Sequence, residues 1–242
     1  MTNGVDPVRA ALLERILSQA APGGAGGVLP SERILAAELS TSRVTLRQAT
    51  ATLADWGLIE PVRGSGVRIR GREHWSLRVV PALLSLPETP SEARHLAAGA
   101  LALRRNLARQ IPASIPSAPG PGGFANAFAQ AEAAWQERRT PTRFVALDAA
   151  IARAVLEEAE AWASVWVWNE LTPVAVVLAS RLREPPPIPS DYLARQRDWL
   201  GALERGDGRT AARALGTHLG RLDRELLRAL PVTGTPVPRA HP

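Results

Sequence analysis

No cysteine and no lysine occur anywhere in the 242 residues, and all 29 basic residues are arginine. Without cysteine there is no disulfide framework, no thiolate nucleophile and no cysteine-held zinc. Without lysine there is neither a Schiff base for pyridoxal phosphate nor the lysine of a phosphate-binding loop. Long apolar runs are missing too. Val165–Ser180 is broken by Asn169, Glu170 and Pro173, short of the roughly 18 uninterrupted residues that a membrane span needs. The opening residues, Met1 to Asp6, carry no basic stretch followed by an apolar block, so no secretory signal, no membrane attachment and a cytoplasmic protein are expected.

What is present suits a globular chain of two modest domains, with 45% hydrophobic and 21% charged residues. The net charge of +6 is unevenly placed. Between residues 43 and 72 lie six arginines (43, 47, 63, 68, 70 and 72) against only Asp55 and Glu60. Such a concentration attracts polyanions, although a solvated basic face has the same composition.

Apolar spacing predicts a first helix over 8–20, with Val8, Leu12, Ile16 and Leu17 on one face. The glycine-rich stretch from Pro22 to Pro30 follows a helix and has no lysine, so it reads as a linker loop and not a phosphate cradle. Ser31 can cap a short helix to Leu39, with Ile34 and Leu35 inward. The turn Ser40-Thr41-Ser42 then caps a helix to Trp56, whose stripe is Leu46, Ala49, Leu53 and Trp56, with Gly57 as its stop. Leu58–Glu60 and the alternating Val67-Arg68-Ile69-Arg70 predict two short strands joined by the turn Arg63-Gly-Ser-Gly66. Helix, helix, turn, helix and hairpin is the order of a winged helix-turn-helix. Beyond Arg72, alanine and leucine at helical spacing predict helices near 75–86, 91–111, 124–139, 142–161, 162–182, 190–205 and 208–230. The expected fold is therefore mostly α: a winged helix-turn-helix over 1–72 and an all-α bundle over 73–242, with a disordered tail over 231–242.

The helix from Ser42 has the chemistry to read a duplex. Arg43 and Arg47 can each donate two bonds to guanine, Gln48 can read adenine, and Thr45 can meet phosphate or the thymine methyl. Ser42 and the free N–H groups of the first turn, with Thr41 beside them, can hold a phosphate. Arg63 and Gly64 on the small-residue turn can reach the backbone or minor groove.

The segments Leu29-Pro-Ser-Glu-Arg33, Leu35-Ala-Ala-Glu-Leu39, Ser42-Arg-Val-Thr-Leu-Arg47, Gly57-Leu-Ile-Glu60 and Arg63-Gly-Ser-Gly66 resemble the DNA-binding domain of the GntR family of bacterial transcription regulators. That resemblance implies a homodimer on a palindromic operator. It places Arg33, Arg43, Thr45 and Arg47 at DNA-contacting positions and Arg63-Gly64 at the wing tip. An all-helical second domain is similar to the FadR (FCD-type) branch, many of whose members hold a metal through an Asp, a His four residues later, and two further His. Here Asp148 and His218 keep the outer positions, but Ala152 and Gln196 replace the inner ones. No metal and no other cofactor is expected from that donor set. Leu103-Arg-Arg-Asn106, and Asp148 followed by Asn169, resemble the acyl-CoA-binding members of the branch. Candidate effector residues are thus Arg105, Asp148, Trp166, Asn169, Gln196 and His218, around an apolar pocket for a carboxylate or acyl-CoA ligand. His218 shares a helix face with Leu215 and Leu222, and tryptophans at 162, 166, 168 and 199 also suit plain core packing.

The expected function is a ligand-responsive regulator, a repressor that a small effector releases from operator DNA, with an acyl-CoA-responsive regulator of fatty-acid metabolism as the narrower alternative. An enzyme fused to a DNA-binding head is the rival. Its case is weak, since the four histidines are scattered and no Gly-x-Ser-x-Gly elbow occurs.

Overall fold

The computed structural model describes residues 6–19, 27–62, 66–86, 88, 92–115 and 119–230. Two compact units divide the chain, residues 1–90 and residues 91–242.

In the first unit α1 (Pro7–Gln19), α2 (Glu32–Glu38) and α3 (Arg43–Asp55) enclose a core of Leu12, Leu13, Ile16, Leu35, Leu46 and Leu53. Two expectations differ from the structure. Leu13 is buried while Leu17, one turn on, is half-buried, and Ile34 is exposed while Leu35, about 100° round the helix, is buried. Ser31 stands at the N-cap of α2 but its side chain makes no capping bond there. Trp56 is half-buried, with the Arg9 guanidinium over its ring.

A three-stranded antiparallel sheet follows, β1 (Val28–Leu29), β2 (Ile59–Val62) and β3 (Gly66–Ile69), in the order β1-β3-β2. The hairpin was expected; β1 was not. Its two residues fall in the stretch read as linker, yet Leu29 is buried and pairs with Val67. The wing turn with Arg63 and Gly64, and the tail 231–242, lie outside the described residues.

The boundary expected at 72/73 falls later because the chain after β3 folds back onto its own unit. Arg72–His74 forms a 3₁₀ turn, Ser76 N–H donates to Trp56 C=O, and Trp75 Nε1 donates to Arg70 C=O at 3.2 Å. Gly57, at φ +79°, stops α3 where the His74 carbonyl passes so closely that a Cβ would meet it at 2.1 Å. The helix expected over 75–86 is consequently shorter, α4 (Val79–Leu84).

The second unit is helical throughout its described residues: α5 (Ala93–Gln110), α6 (Ala125–Gln136), α7 (Pro141–Glu158), α8 (Trp162–Ser180), α9 (Tyr192–Glu204) and α10 (Gly208–Leu227). Each matches an expected helix to within a few residues. Their packing closes a ring in the order α5, α8, α7, α6, α9, α10 and back to α5. No helix among the described residues is long and apolar enough to cross a membrane.

Candidate functional site

Helix α3 begins with a built cap. Ser42 Oγ accepts the Thr45 N–H at 3.0 Å and lies 2.9 Å from the Thr45 hydroxyl. Leu46, Ala49 and Leu53 anchor the inner face, which leaves Arg43, Val44, Arg47 and Gln48 exposed on the outer one. Ser42 is exposed at the helix start, and Thr41 and Thr45 are half-buried. Arg33 is exposed in the first turn of α2. Six of the predicted DNA-facing side chains therefore sit on α3 or its cap, and Arg33 stands on the helix packed against it.

Two features were missed by sequence reasoning. Arg47 Nε donates to Glu32 of α2 at 3.0 Å, an exposed pair between the two helices. Arg33 and Arg43 have no ion-pair partner among the described residues. The other feature narrows the basic footprint. On the sheet Glu60 lies directly opposite Arg68 and pairs with it, and with Arg70 at 3.5 Å. The Arg68 hydrogen bond, ahead of the field of both arginines, holds the Glu60 carboxyl below its usual range. Glu60 thus offsets one of the two strand-arginine charges, while Arg33 and Arg43 at the starts of α2 and α3 stay exposed and without an ion-pair partner among the described residues. A carboxylate on the neighbouring strand, set opposite by the hairpin register, decides this.

In the helical unit, side chains from non-neighbouring helices meet inside the ring. Asp148 of α7 faces His218 of α10, with His218 Nε2 at 2.8 and 3.0 Å from its two oxygens. Tyr192 of α9 donates its hydroxyl to Asp148 at 2.8 Å, and Gln196 Nε2 reaches it at 3.4 Å. Trp199 Nε1 in turn donates to Gln196 Oε1. Burial by itself would raise the Asp148 pKa, but the charge and hydrogen bond of His218 and the Tyr192 hydroxyl outweigh it and bring it below the usual range. Burial first, and Asp148 second, push the Tyr192 phenol far up, so it stays a donor. Tyr192 is the member that sequence reading missed, although its spacing of four from Gln196 places both on one face of α9. One carboxylate and one imidazole fall short of the three ionisable ligands that a divalent cation usually takes, and no group of three His, Cys, Asp or Glu able to hold a metal occurs among the described residues. The residues present do not fit a metal.

The remaining effector candidates are not brought to that cluster. Arg105 of α5 lies along α10 and pairs with Asp223. Arg104 shares that carboxylate at 2.6 Å and is 1% exposed. Trp166 and Asn169 face outward on α8, far from any pocket-lining role with Asp148. An apolar α8 offers no polar edge from which the inward face could be read, so the sequence assigned both to a pocket they do not line.

Beside the cluster the surface opens into two arginine-lined grooves. One, of about 750 Å³ between α9 and α10, is bordered by Arg195, Arg213, Arg221 and Arg224, with His218 and Trp199 in its wall. The other, of about 670 Å³ between α5 and α10, is bordered by Arg105, Arg109, Arg213 and Arg224. Arg195 is tied to Asp191 at 2.8 Å. Arg109, Arg213, Arg221 and Arg224 have no ion-pair partner among the described residues. None of these four was among the predicted site residues: Arg109 lies on α5, about a hundred residues before Arg213, Arg221 and Arg224 of α10, which by themselves read as a solvated face.

Comparison with known proteins bears on the first unit most directly. Residues 5–69 match the family "Bacterial regulatory proteins, gntR family". Among solved structures, Lar of Listeria monocytogenes, described as controlling the expression of the agr system and mediating virulence, is 14% identical with a TM-score of 0.59, covering 91% of this chain and 95% of that one. A GntR of Streptococcus agalactiae is 20% identical with a TM-score of 0.45, over 90% and 97% of the two chains. The E. coli protein McbR/YncC is 12% identical with a TM-score of 0.48, over 91% and 95%. No curated protein is detectably similar to the chain in sequence.

Proposed function

We propose that this chain, whose residues 5–69 match the gntR family of bacterial regulatory proteins, binds operator DNA as a homodimer and represses until a small anionic effector releases it. The observation that carries the reading is the outward face of the capped α3, with Arg43, Val44, Arg47 and Gln48 exposed together. An α-helix fits the major groove, and these side chains supply bidentate donors for guanine, an amide for adenine and an apolar contact for the thymine methyl. Ser42 and the first-turn N–H groups hold the adjoining phosphate. The wing residues Arg63 and Gly64 contact the backbone or minor groove. One reading head gives little affinity at cellular salt, so two are needed.

The effector reading rests on the free arginines of the two α10 grooves. Arg213 and Arg224 border both, a setting for carboxylate or phosphate oxygens. Asp148, Gln196 and His218 lie next to the α9–α10 groove and bind no metal in this reading. They close on one another and on Tyr192, as a sensing floor. A ligand that favours one dimer geometry changes the separation of the reading heads and hence operator affinity. No cofactor or catalytic step enters this mechanism, and it belongs in the cytoplasm beside the chromosome.

Selection of duplexes from a random-sequence pool by the full chain tests the reading. The expected product is a palindrome with half-site centres about one helical turn, roughly 10 base pairs, or a multiple of it apart. Recovery of no preferred sequence would overturn it. Addition of citrate or coenzyme A as probes is expected to release the selected duplex.

Glu32 makes a separate prediction. Glu32→Gln frees Arg47 and removes a carboxylate from the DNA-facing side, so duplex affinity is expected to rise roughly two- to fivefold, with a steeper salt dependence. Fluorescence anisotropy over a salt series measures both, and unchanged affinity with an unchanged slope would show that the pair persists on DNA.

A further inference from the structure

The outer face of α3 carries one large apolar side chain. Val44 is 66% exposed, and it stands in the middle of that face, not at its margin. Leu53, nine residues on, is fully buried, and at about 3.6 residues per turn the two lie about 180° apart. Arg47, Gln48 and Ala51 share the stripe of Val44, and all three are exposed. Thr45 does not compete for the position. It is half-buried, and its hydroxyl lies 2.9 Å from Ser42 Oγ in the cap. Ala51 comes two turns later and offers a single methyl.

We infer that Val44 reads the methyl group on C5 of an operator pyrimidine, so that duplex binding depends on that methyl and strengthens when a cytosine at the same place is methylated. The inference rests on the α3 reading above and names the base feature that one of its side chains selects. Three physical points carry it. The C5-methyl is the apolar group that base pairs present in the major groove, the other features there being donors and acceptors, so an isopropyl group gains most against it. The N-terminal residues of a reading helix are the ones that reach base edges, and Val44 stands in the first turn of α3. Lastly, valine on a helix is held close to one χ1 rotamer. Its two methyls are therefore aimed before DNA arrives, and little side-chain freedom is lost on binding. Having neither donor nor acceptor, valine does not distinguish thymine O4 from the cytosine amino group, and it responds to the methyl alone. Covering one methyl strengthens binding about fourfold for each half-site, and about fifteenfold for both halves of a palindrome.

The test is fluorescence anisotropy of the full chain on the selected palindrome, with its thymines replaced one position at a time, in both half-sites, by deoxyuridine. That replacement removes the methyl and nothing else. At one position the wild-type chain is expected to lose about fifteenfold in affinity, and Val44→Ala to lose less than about threefold from the same replacement. With a cytosine–guanine pair at that position, methylation of the cytosine at C5 is expected to strengthen wild-type binding by a similar factor and to leave Val44→Ala nearly unmoved. The variant is expected to keep its helical circular dichroism spectrum, because Val44 lies outside the core and alanine is the better helix former. Should it lose the fold, Val44→Ser takes its place under the same criteria. A wild-type chain indifferent to every deoxyuridine, a variant as sensitive as the wild type, or a selected palindrome with no thymine in its half-sites overturns the role of Val44 while leaving α3 as the reading helix. Recovery of no preferred sequence in the selection overturns both.

Discussion

Replacing Arg43 and Arg47 together by alanine is expected to lower affinity for the selected operator by about thirtyfold or more while leaving the fold intact. Each bidentate arginine–guanine contact discriminates by about 1–3 kcal/mol, so two removals cost about 2–6 kcal/mol, or roughly thirtyfold to ten-thousandfold. Neither side chain supports the domain. Both are exposed, α3 is held by Leu46, Ala49 and Leu53, and its cap depends on Ser42 and Thr45. The single variants should differ in kind. Arg43 has no ion-pair partner among the described residues, so its loss is felt wholly in DNA binding. Arg47 is shared with Glu32, so Arg47→Ala should cost less affinity than Arg43→Ala. Anisotropy with the selected duplex and with a scrambled one separates the two components, because lost phosphate contacts weaken both duplexes and lost base contacts weaken only the first. Retention of specific binding by the double variant would remove α3 as the reading helix.

The second large effect is on stability. Asp223→Ala is expected to destabilise the helical unit by about 3–5 kcal/mol, which for a chain of this size lowers the thermal midpoint by on the order of 10 °C. Asp223 is fully buried and receives both Arg104 and Arg105. Arg105 is partly exposed and can turn to water, but Arg104 is buried between α5 and α10, and its Nε already lacks a partner. Removing the carboxylate strands a guanidinium in a medium that solvates it poorly. The mechanism has its own control. Arg104→Met with Asp223→Leu removes both charges together and should be markedly more stable than Asp223→Ala alone, since an apolar pair of similar volume packs where a lone charge cannot. Denaturant unfolding followed by tryptophan fluorescence measures the series. If the double variant is no better than the single one, the loss arises from packing and not from the stranded charge.

The local parts of this molecule were readable before any coordinates. Helix α3 could be placed because its stripe, its Ser42 cap and its Gly57 stop all lie within sixteen residues, each acting on its immediate neighbours. The hairpin followed from strict alternation around a small-residue turn. The six long helices followed from alanine and leucine at helical spacing between proline-rich breaks. The exposed face of α3 was legible for the same reason, since once the inner stripe is known the outer face is what remains.

Where reading failed, the missing information was a partner distant in the chain. Strand β1 is two residues long and exists only because β3, nearly forty residues later, offers it hydrogen bonds. That Arg105 pairs with Asp223 of α10 was likewise hidden, because the two lie 118 residues apart. Four tryptophans of one type divide into Trp168 and Trp199, which are buried, and Trp162 and Trp166, which are not; α8 has no polar side to show which way it faces.

The long helices, the hairpin and the capped α3 with its outward arginines were determined by the sequence alone, because hydrogen bonds four residues apart and side chains alternating in period do not depend on the rest of the fold. Only the tertiary structure decided which charges are free and which are spent on one another. Glu60 on Arg68, Glu32 on Arg47, Asp223 on Arg104 and His218 on Asp148 are pairings across separate elements. Electrostatic attraction falls with distance in space and takes no account of distance along the chain.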